Sequence, residues 1–130
     1  MLSTDGKKLS KRTGDTALQD YCDKGFPRAA IVNFLCLQGW ALDGATEVFS
    51  VDQLVERFDI RAVSKGGSIF DPEKFRWMAG EYLRRESLEE LLGHALPFLE
   101  QAGLASGAEV EARRDWFLEA LRGEQERVHT

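Results

Sequence analysis

Apolar residues recur at helical spacing along most of this chain, and the punctuation between them divides it into short helices. Over the later third, Leu88, Leu91, Leu92, Ala95, Leu96 and Leu99 mark one amphipathic helix. Ser87-Leu88-Glu89-Glu90 forms a capping box at its start, and Pro97 is expected to break or kink it. Ala102 to Gly107 reads as a linker. A last helix is expected from about Glu109 to Arg122, burying Trp116, Phe117, Leu118 and Leu121.

Upstream the elements are shorter. Ser3-Thr4-Asp5-Gly6 is a turn leading a short extended piece into a basic loop. Asp15 or Thr16 can cap a helix over Ala17 to Lys24, which Gly25 stops. Pro27 opens the next helix, and Ala30, Ile31, Phe34, Leu35 and Leu37 make it apolar over most of its circumference, until Gly39 ends it. Asp43 to Thr46 is loop. Ser50 or Asp52 caps a helix over Val51–Phe58 whose stripe is Val51, Leu54, Val55 and Phe58. After a glycine-bearing loop over Ser64 to Ser68, Asp71-Pro72-Glu73 is a strong helix start. Phe75, Met78, Ala79 and Tyr82 form that helix's buried stripe, with Arg76 and Trp77 off its centre. The fold class is mainly α, with a soft boundary near residue 86 between two helical units.

Bulk properties narrow the function classes. An apolar fraction of 43% and a charged fraction of 30% describe an ordinary soluble globular chain. No apolar run reaches the length of a bilayer span, the N-terminus is polar rather than signal-like, and no membrane role is expected. Cys22 and Cys36 have no metal-ligand spacing and suit a reducing cytoplasm, with Cys36 a small core residue. His94 and His129 lack ligand-spaced partners, so no structural metal is assigned. The net charge of −5 is uneven. Residues 1–85 carry 13 basic and 12 acidic side chains, whereas residues 86–130 carry 4 and 10. Basic residues able to meet RNA therefore lie mainly in the first part.

The densest chemistry is Lys7-Lys8-Leu9-Ser10-Lys11-Arg12, flanked by Gly6 and Gly14. Lysines three apart with a serine between them suit movable point charges on polyphosphate oxygens, and glycines on either side allow a loop to close and reopen. A solvated basic turn is the plain alternative. No Walker-type glycine-lysine loop occurs in the chain.

Lys8-Leu9-Ser10-Lys11-Arg12 resembles the second signature motif of class I aminoacyl-tRNA synthetases, in the form typical of glutamyl enzymes. The resemblance continues through Gly14-Asp15-Thr16, Tyr21, Asp23-Lys24-Gly25, Asn33-Phe34-Leu35 and Gly39-Trp40. It resumes at Val63-Ser64-Lys65 and runs through Phe70-Asp71-Pro72-Glu73-Lys74 and Arg76-Trp77-Met78 to Gly80-Glu81-Tyr82. Matches in this order and spacing are far more specific than the five-residue motif alone.

The resemblance implies a helical stem-contact domain carrying the basic loop over residues 1–85, and the start of a helical anticodon-binding bundle over 86–130. Helical structure in the second part fits the bacterial glutamyl type rather than the glutaminyl relative. It implies Lys8 and Lys11 as catalytic cations, with Lys8, Ser10, Lys11 and Arg12 meeting ATP; Thr13 departs from the residue expected there. It implies tRNA contacts at Ser64, Lys65, Lys74, Arg76 and Trp77, against a plain reading of Trp77 as a core aromatic and the rest as solvated surface. Ala79 stands where the family commonly has a polar residue. Arg127, within Glu126 to Thr130, matches a segment of the first anticodon-binding unit, though a fraying helix end is the simpler reading.

The implied activity is ATP-dependent attachment of glutamate to tRNA, with ATP and Mg2+ as cofactors of the complete enzyme and tRNA(Glu) as partner. The sequence has no His-x-Gly-His motif and no Rossmann opening. The expectation is a cytoplasmic, monomeric chain, inactive alone, whose ATP and glutamate are held by an N-terminal half it lacks. The rival expectation is a non-catalytic RNA-binding or partner-binding module.

Overall fold

A computed structural model describes Met1, Leu2, Thr4, residues 6–9 and residues 17–128. Seven α-helices follow in order: α1 Leu18–Asp23, α2 Arg28–Cys36, α3 Val51–Arg57, α4 Pro72–Arg85, α5 Leu88–Gln101, α6 Gly107–Ala112 and α7 Arg114–Glu124. Two 3-10 turns, Ile60–Ala62 and Gln125–Arg127, complete the regular structure of the described residues. Among the described residues there is no strand, only isolated bridges. The protein is mainly helical, as its periodicity predicts. It divides into two compact units, the first ending at Glu81 and the second beginning at Tyr82.

The first unit is built on aromatic rings. Phe34 and Phe75 stack with centroids 4.3 Å apart, and Phe26 and Tyr21 lie 4.6 and 5.0 Å from Phe75. Phe70 meets Phe34 edge-on at 5.4 Å. Each such pair adds about 0.5–1.5 kcal/mol beyond simple area burial. Ala30, Ile31, Met78 and Ala79 complete this core, and Trp40 and Phe49 form a further buried pair.

Two expectations for this unit need correction. α2 is not buried around most of its girth, since Val32 and Leu35 are exposed while polar Asn33 is buried. Its buried stripe is narrower and contains an amide. α3 buries no residue; Val51, Val55 and Phe58 are exposed, Val55 at 78%. The helix exists because Ser50 caps it: the Ser50 hydroxyl accepts from the Gln53 amide at 3.1 Å, and Gln53 Oε1 accepts from the Ser50 amide at 2.9 Å. Of the proposed α1 caps, Asp15 and Thr16 lie outside the described residues. The described cap contact is the Ala17 amide donating to the Asp20 carboxylate at 3.2 Å.

In the second unit α5 packs on α6 and α7, and α6 on α7. Leu83, Leu91, Leu92 and Val110 are its buried apolar residues. Capping boxes at Ser87–Glu90 and Ser106–Glu109 set the starts of α5 and α6. Pro97 does not end α5, which runs on to Gln101. Both Pro97 and Gly93 are exposed, so the bond to the Gly93 carbonyl that proline cannot make is lost at the water-facing side of the helix. The expected last helix is instead two, divided at Arg113, whose φ of −124° and ψ of 30° leave the helical region. Trp116 is 56% exposed rather than buried, with the Arg113 guanidinium 4.7 Å above its ring. Phe117, Leu118 and Leu121 are half-buried. His94 is exposed and pairs through Nδ1 with Glu86 at 2.9 Å. Burial pushes the Glu86 carboxyl above its ordinary range, against the opposing pull of His94.

Candidate functional site

The basic loop leaves from an anchored base. The Leu2 amide donates to the Ser68 carbonyl at 2.8 Å, and the Phe70 amide donates to the Leu2 carbonyl at 2.7 Å. Leu2 also bridges Lys8 in antiparallel register, and the Leu9 amide donates to the Met1 carbonyl at 3.3 Å. The extended piece expected before the loop is thus tied to the segment that runs directly into α4. Gly67 permits the approach, because a Cβ there would sit 3.0 Å from Leu2 Cδ1. Lys7 and Lys8 are exposed. Ser10, Lys11 and Arg12 lie outside the described residues.

The second group of candidates lies on a loop and on a helix. The Ser64 amide donates to the Gly39 carbonyl at 2.7 Å, and its hydroxyl accepts from the Gly66 amide at 3.2 Å. Gly39 has φ +139°, a conformation other residues rarely adopt, and it brings α2's end against Ser64. Ser64 and Lys65 are both exposed. Lys74, Arg76 and Trp77 belong to α4, whose first turn is set by Asp71: its Oδ1 accepts from the Glu73 and Lys74 amides at 2.9 and 3.2 Å. Arg76 and Trp77 are exposed, Trp77 at 44%, so Trp77 is not a core aromatic. Lys74 Nζ donates to Glu47 Oε1 at 2.5 Å.

Glu47 was not found by sequence reasoning. Asn33, named there only within Asn33-Phe34-Leu35 and given no role, fixes it in place: Asn33 Nδ2 donates to the Glu47 carbonyl at 2.9 Å, and Asn33 Oδ1 accepts from the Phe49 amide at 3.0 Å. A usable signal for Asn33 was present, since an amide side chain shares the face of Ala30, Ile31 and Phe34. Glu47 carries no such local mark.

Arg127 belongs to the second unit. It is exposed, its Nη1 3.9 Å from Glu124 Oε1. Its turn is tied down: Gln125 Nε2 donates to the Glu86 carbonyl at 2.8 Å and to Leu83 at 3.2 Å, and Arg84 Nη1 donates to the Val128 carbonyl at 3.1 Å.

Chemically, these surfaces offer exposed cations and a flat aromatic face for phosphates and bases. Among the described residues, no group of three or more His, Cys, Asp or Glu side chains could hold a metal ion.

The family model described as tRNA synthetases class I (E and Q), catalytic domain, matches residues 1–77. The chain belongs to this family. The glutamate–tRNA ligase of Symbiobacterium thermophilum is 41% identical over 133 residues, covering 100% of this chain and 28% of that protein. The ligase of Herpetosiphon aurantiacus is also 41% identical, over 98% of this chain and 26% of its own length. A crystal structure of a glutamate tRNA ligase from Elizabethkingia meningosepticum in complex with its amino acid superposes with a TM-score of 0.77 at 26% identity, covering 98% of this chain and 28% of that one. This synthetase-family chain therefore spans about a quarter of the length of the ligases it matches.

Proposed function

We propose that the chain is the stem-contact region and the start of the anticodon-binding region of a glutamate–tRNA ligase. It contributes a phosphate-binding loop and tRNA contacts to the ATP-dependent attachment of glutamate to tRNA. The observation that supports this most is similarity to glutamate–tRNA ligases along the whole chain, at 41% identity.

The reaction joins a glutamate carboxylate to the α-phosphorus of ATP and expels pyrophosphate. The carboxylate is already ionised, so no general base is needed. The difficulty is negative charge growing on the departing oxygens, and positioned ammonium groups meet it as it forms. Lys8 and Lys11 take that role, Ser10 offers a hydroxyl to loop or phosphate, and Arg12 a second cationic contact. Met1 and Leu2 tie Leu9 and Lys8, at the described start of this stretch, to the segment that leads into α4. Mg2+ would travel with the nucleotide's phosphates, balancing part of their charge.

On the helical body, Ser64, Lys65, Lys74, Arg76 and Trp77 meet the inner side of tRNA(Glu), and Arg127 a position nearer the anticodon. No helix among the described residues is long and apolar enough to cross a membrane. A monomer working in the cytoplasm is the proposed setting.

The test supplies the chain in trans with the portion of the Symbiobacterium ligase preceding the matched segment, and follows pyrophosphate exchange dependent on glutamate and tRNA. Exchange that appears on mixing and is lost with Lys11→Ala is expected. Binding of tRNA without exchange would favour a non-catalytic module, and neither binding nor exchange would overturn the proposal.

A further inference from the structure

Before any RNA arrives, the Lys74 ammonium already has a partner in Glu47, 27 residues upstream and outside any helix. Asn33 explains why the carboxylate stands there. Only 2% exposed, Asn33 holds the backbone on both sides of residue 48 through the Glu47 carbonyl and the Phe49 amide. Asp71 fixes the other side by receiving the Glu73 and Lys74 amides at the start of α4. Both charges therefore rise from fixed backbone, while their side chains remain 38% and 47% exposed. A pair that wet is weak enough for a competing anion to open.

We propose that Glu47 is a built-in competitor for the RNA phosphate at Lys74, limiting how tightly this surface holds RNA. This rests on the assignment of Lys74 to a tRNA contact. An approaching phosphodiester must displace a carboxylate that the Asn33 clamp keeps in position, and it meets that carboxylate's repulsion even after the ammonium has turned. The paired lysine presents little net charge, so it contributes less than a free lysine to counterion release. The benefit is in the off-rate: an enzyme that releases its RNA after every turnover is served by a contact strong enough to orient and easy to break.

The test measures binding of the chain to a labelled tRNA(Glu) transcript by fluorescence anisotropy, from about 50 to about 200 mM salt. Glu47→Gln keeps the shape and removes the charge. It is expected to tighten binding about three- to tenfold and to steepen the slope of log Kd against log salt by about 0.7–0.9. Lys74→Ala is expected to weaken binding, and adding Glu47→Gln to it should tighten binding less than Glu47→Gln does alone. Circular dichroism and the thermal midpoint confirm that each variant is folded.

Unchanged affinity and slope in Glu47→Gln, with Lys74→Ala still weakening binding, would reduce Glu47 to a structural tie and leave the RNA assignment standing. Equal tightening with and without Lys74 would mean general charge removal and would equally overturn the competition. If Lys74→Ala has no effect, the assignment of Lys74 falls and the proposal with it.

Discussion

The two units reach their helices by different means. In the second, the starts of α5 and α6 are written within four residues: Ser87 with Glu90, Ser106 with Glu109, hydroxyl and carboxylate exchanging bonds with the backbone. In the first, the decisive contacts join residues far apart in the chain. Asn33 reaches 14 and 16 residues to Glu47 and Phe49, Lys74 reaches 27 to Glu47, and Leu2 reaches Ser68 and Phe70. Its helices α1 and α3 are short and bury no residue. Within α1, Tyr21 joins the ring cluster, and α3 begins at the Ser50 cap. The contrast predicts that removing one local cap in the second unit costs less than removing one buried distant contact in the first.

That contrast can be broken at its strongest point first. Phe34→Ala removes a ring 1% exposed that stacks on Phe75 and meets Phe70 edge-on, and should cost about 3–5 kcal/mol by urea unfolding. Hydrogen exchange should then rise across residues 18–81. A loss under 1 kcal/mol would mean the aromatic cluster is not what holds the first unit.

Next comes Asn33→Ala, which leaves the buried Phe49 amide and the Glu47 carbonyl without this partner and should cost about 2–3 kcal/mol. Asn33→Asp should do no better, because a carboxylate cannot donate to the Glu47 carbonyl. In the second unit, Ser106→Ala removes one cap and should cost only about 1 kcal/mol, seen as a small fall in the urea midpoint. If Ser106→Ala costs as much as Asn33→Ala, the proposed difference between local and distant support is wrong.

The smallest effect is a local signal inside the first unit. The Asp43 carboxylate accepts from the Thr46 amide at 2.6 Å, the Thr46 hydroxyl at 2.7 Å and the Ala45 amide at 2.9 Å. These bonds, the Thr46 amide first, pull its pKa down to about 2. Because the folded value lies below the ordinary carboxylate value of about 3.9, the contribution to stability is full above that value and fades as pH falls towards 2. Carbon-detected NMR titration should place the Asp43 midpoint near 2, and Thr46→Ala should raise it. An Asp43 midpoint near 4 would show the turn open in solution.

Legibility follows the same division. Asp71-Pro72-Glu73, a cap at Ser50 and the Ser87–Glu90 box could be read directly, because each is chemistry between neighbours, whereas the Ser106–Glu109 box lay partly inside the expected linker and was missed. The break at Arg113 could not, since neither glycine nor proline marks it. Exposure of the α3 stripe was equally hidden, because periodicity shows that a face exists and not that anything covers it. At the candidate sites, residue types and order were plain, but the pairing of Lys74 with Glu47 was not.

By itself the sequence determined the helical class, where most helices start, and the family, because capping and motif chemistry act over a few residues. Tertiary structure alone decided which faces are covered, that Trp77 looks outward, and that Lys74 is held by a carboxylate 27 residues away. The reason is that burial and ion pairing depend on positions in space, and those are set only when Asn33, Phe34 and Phe75 bring distant segments together.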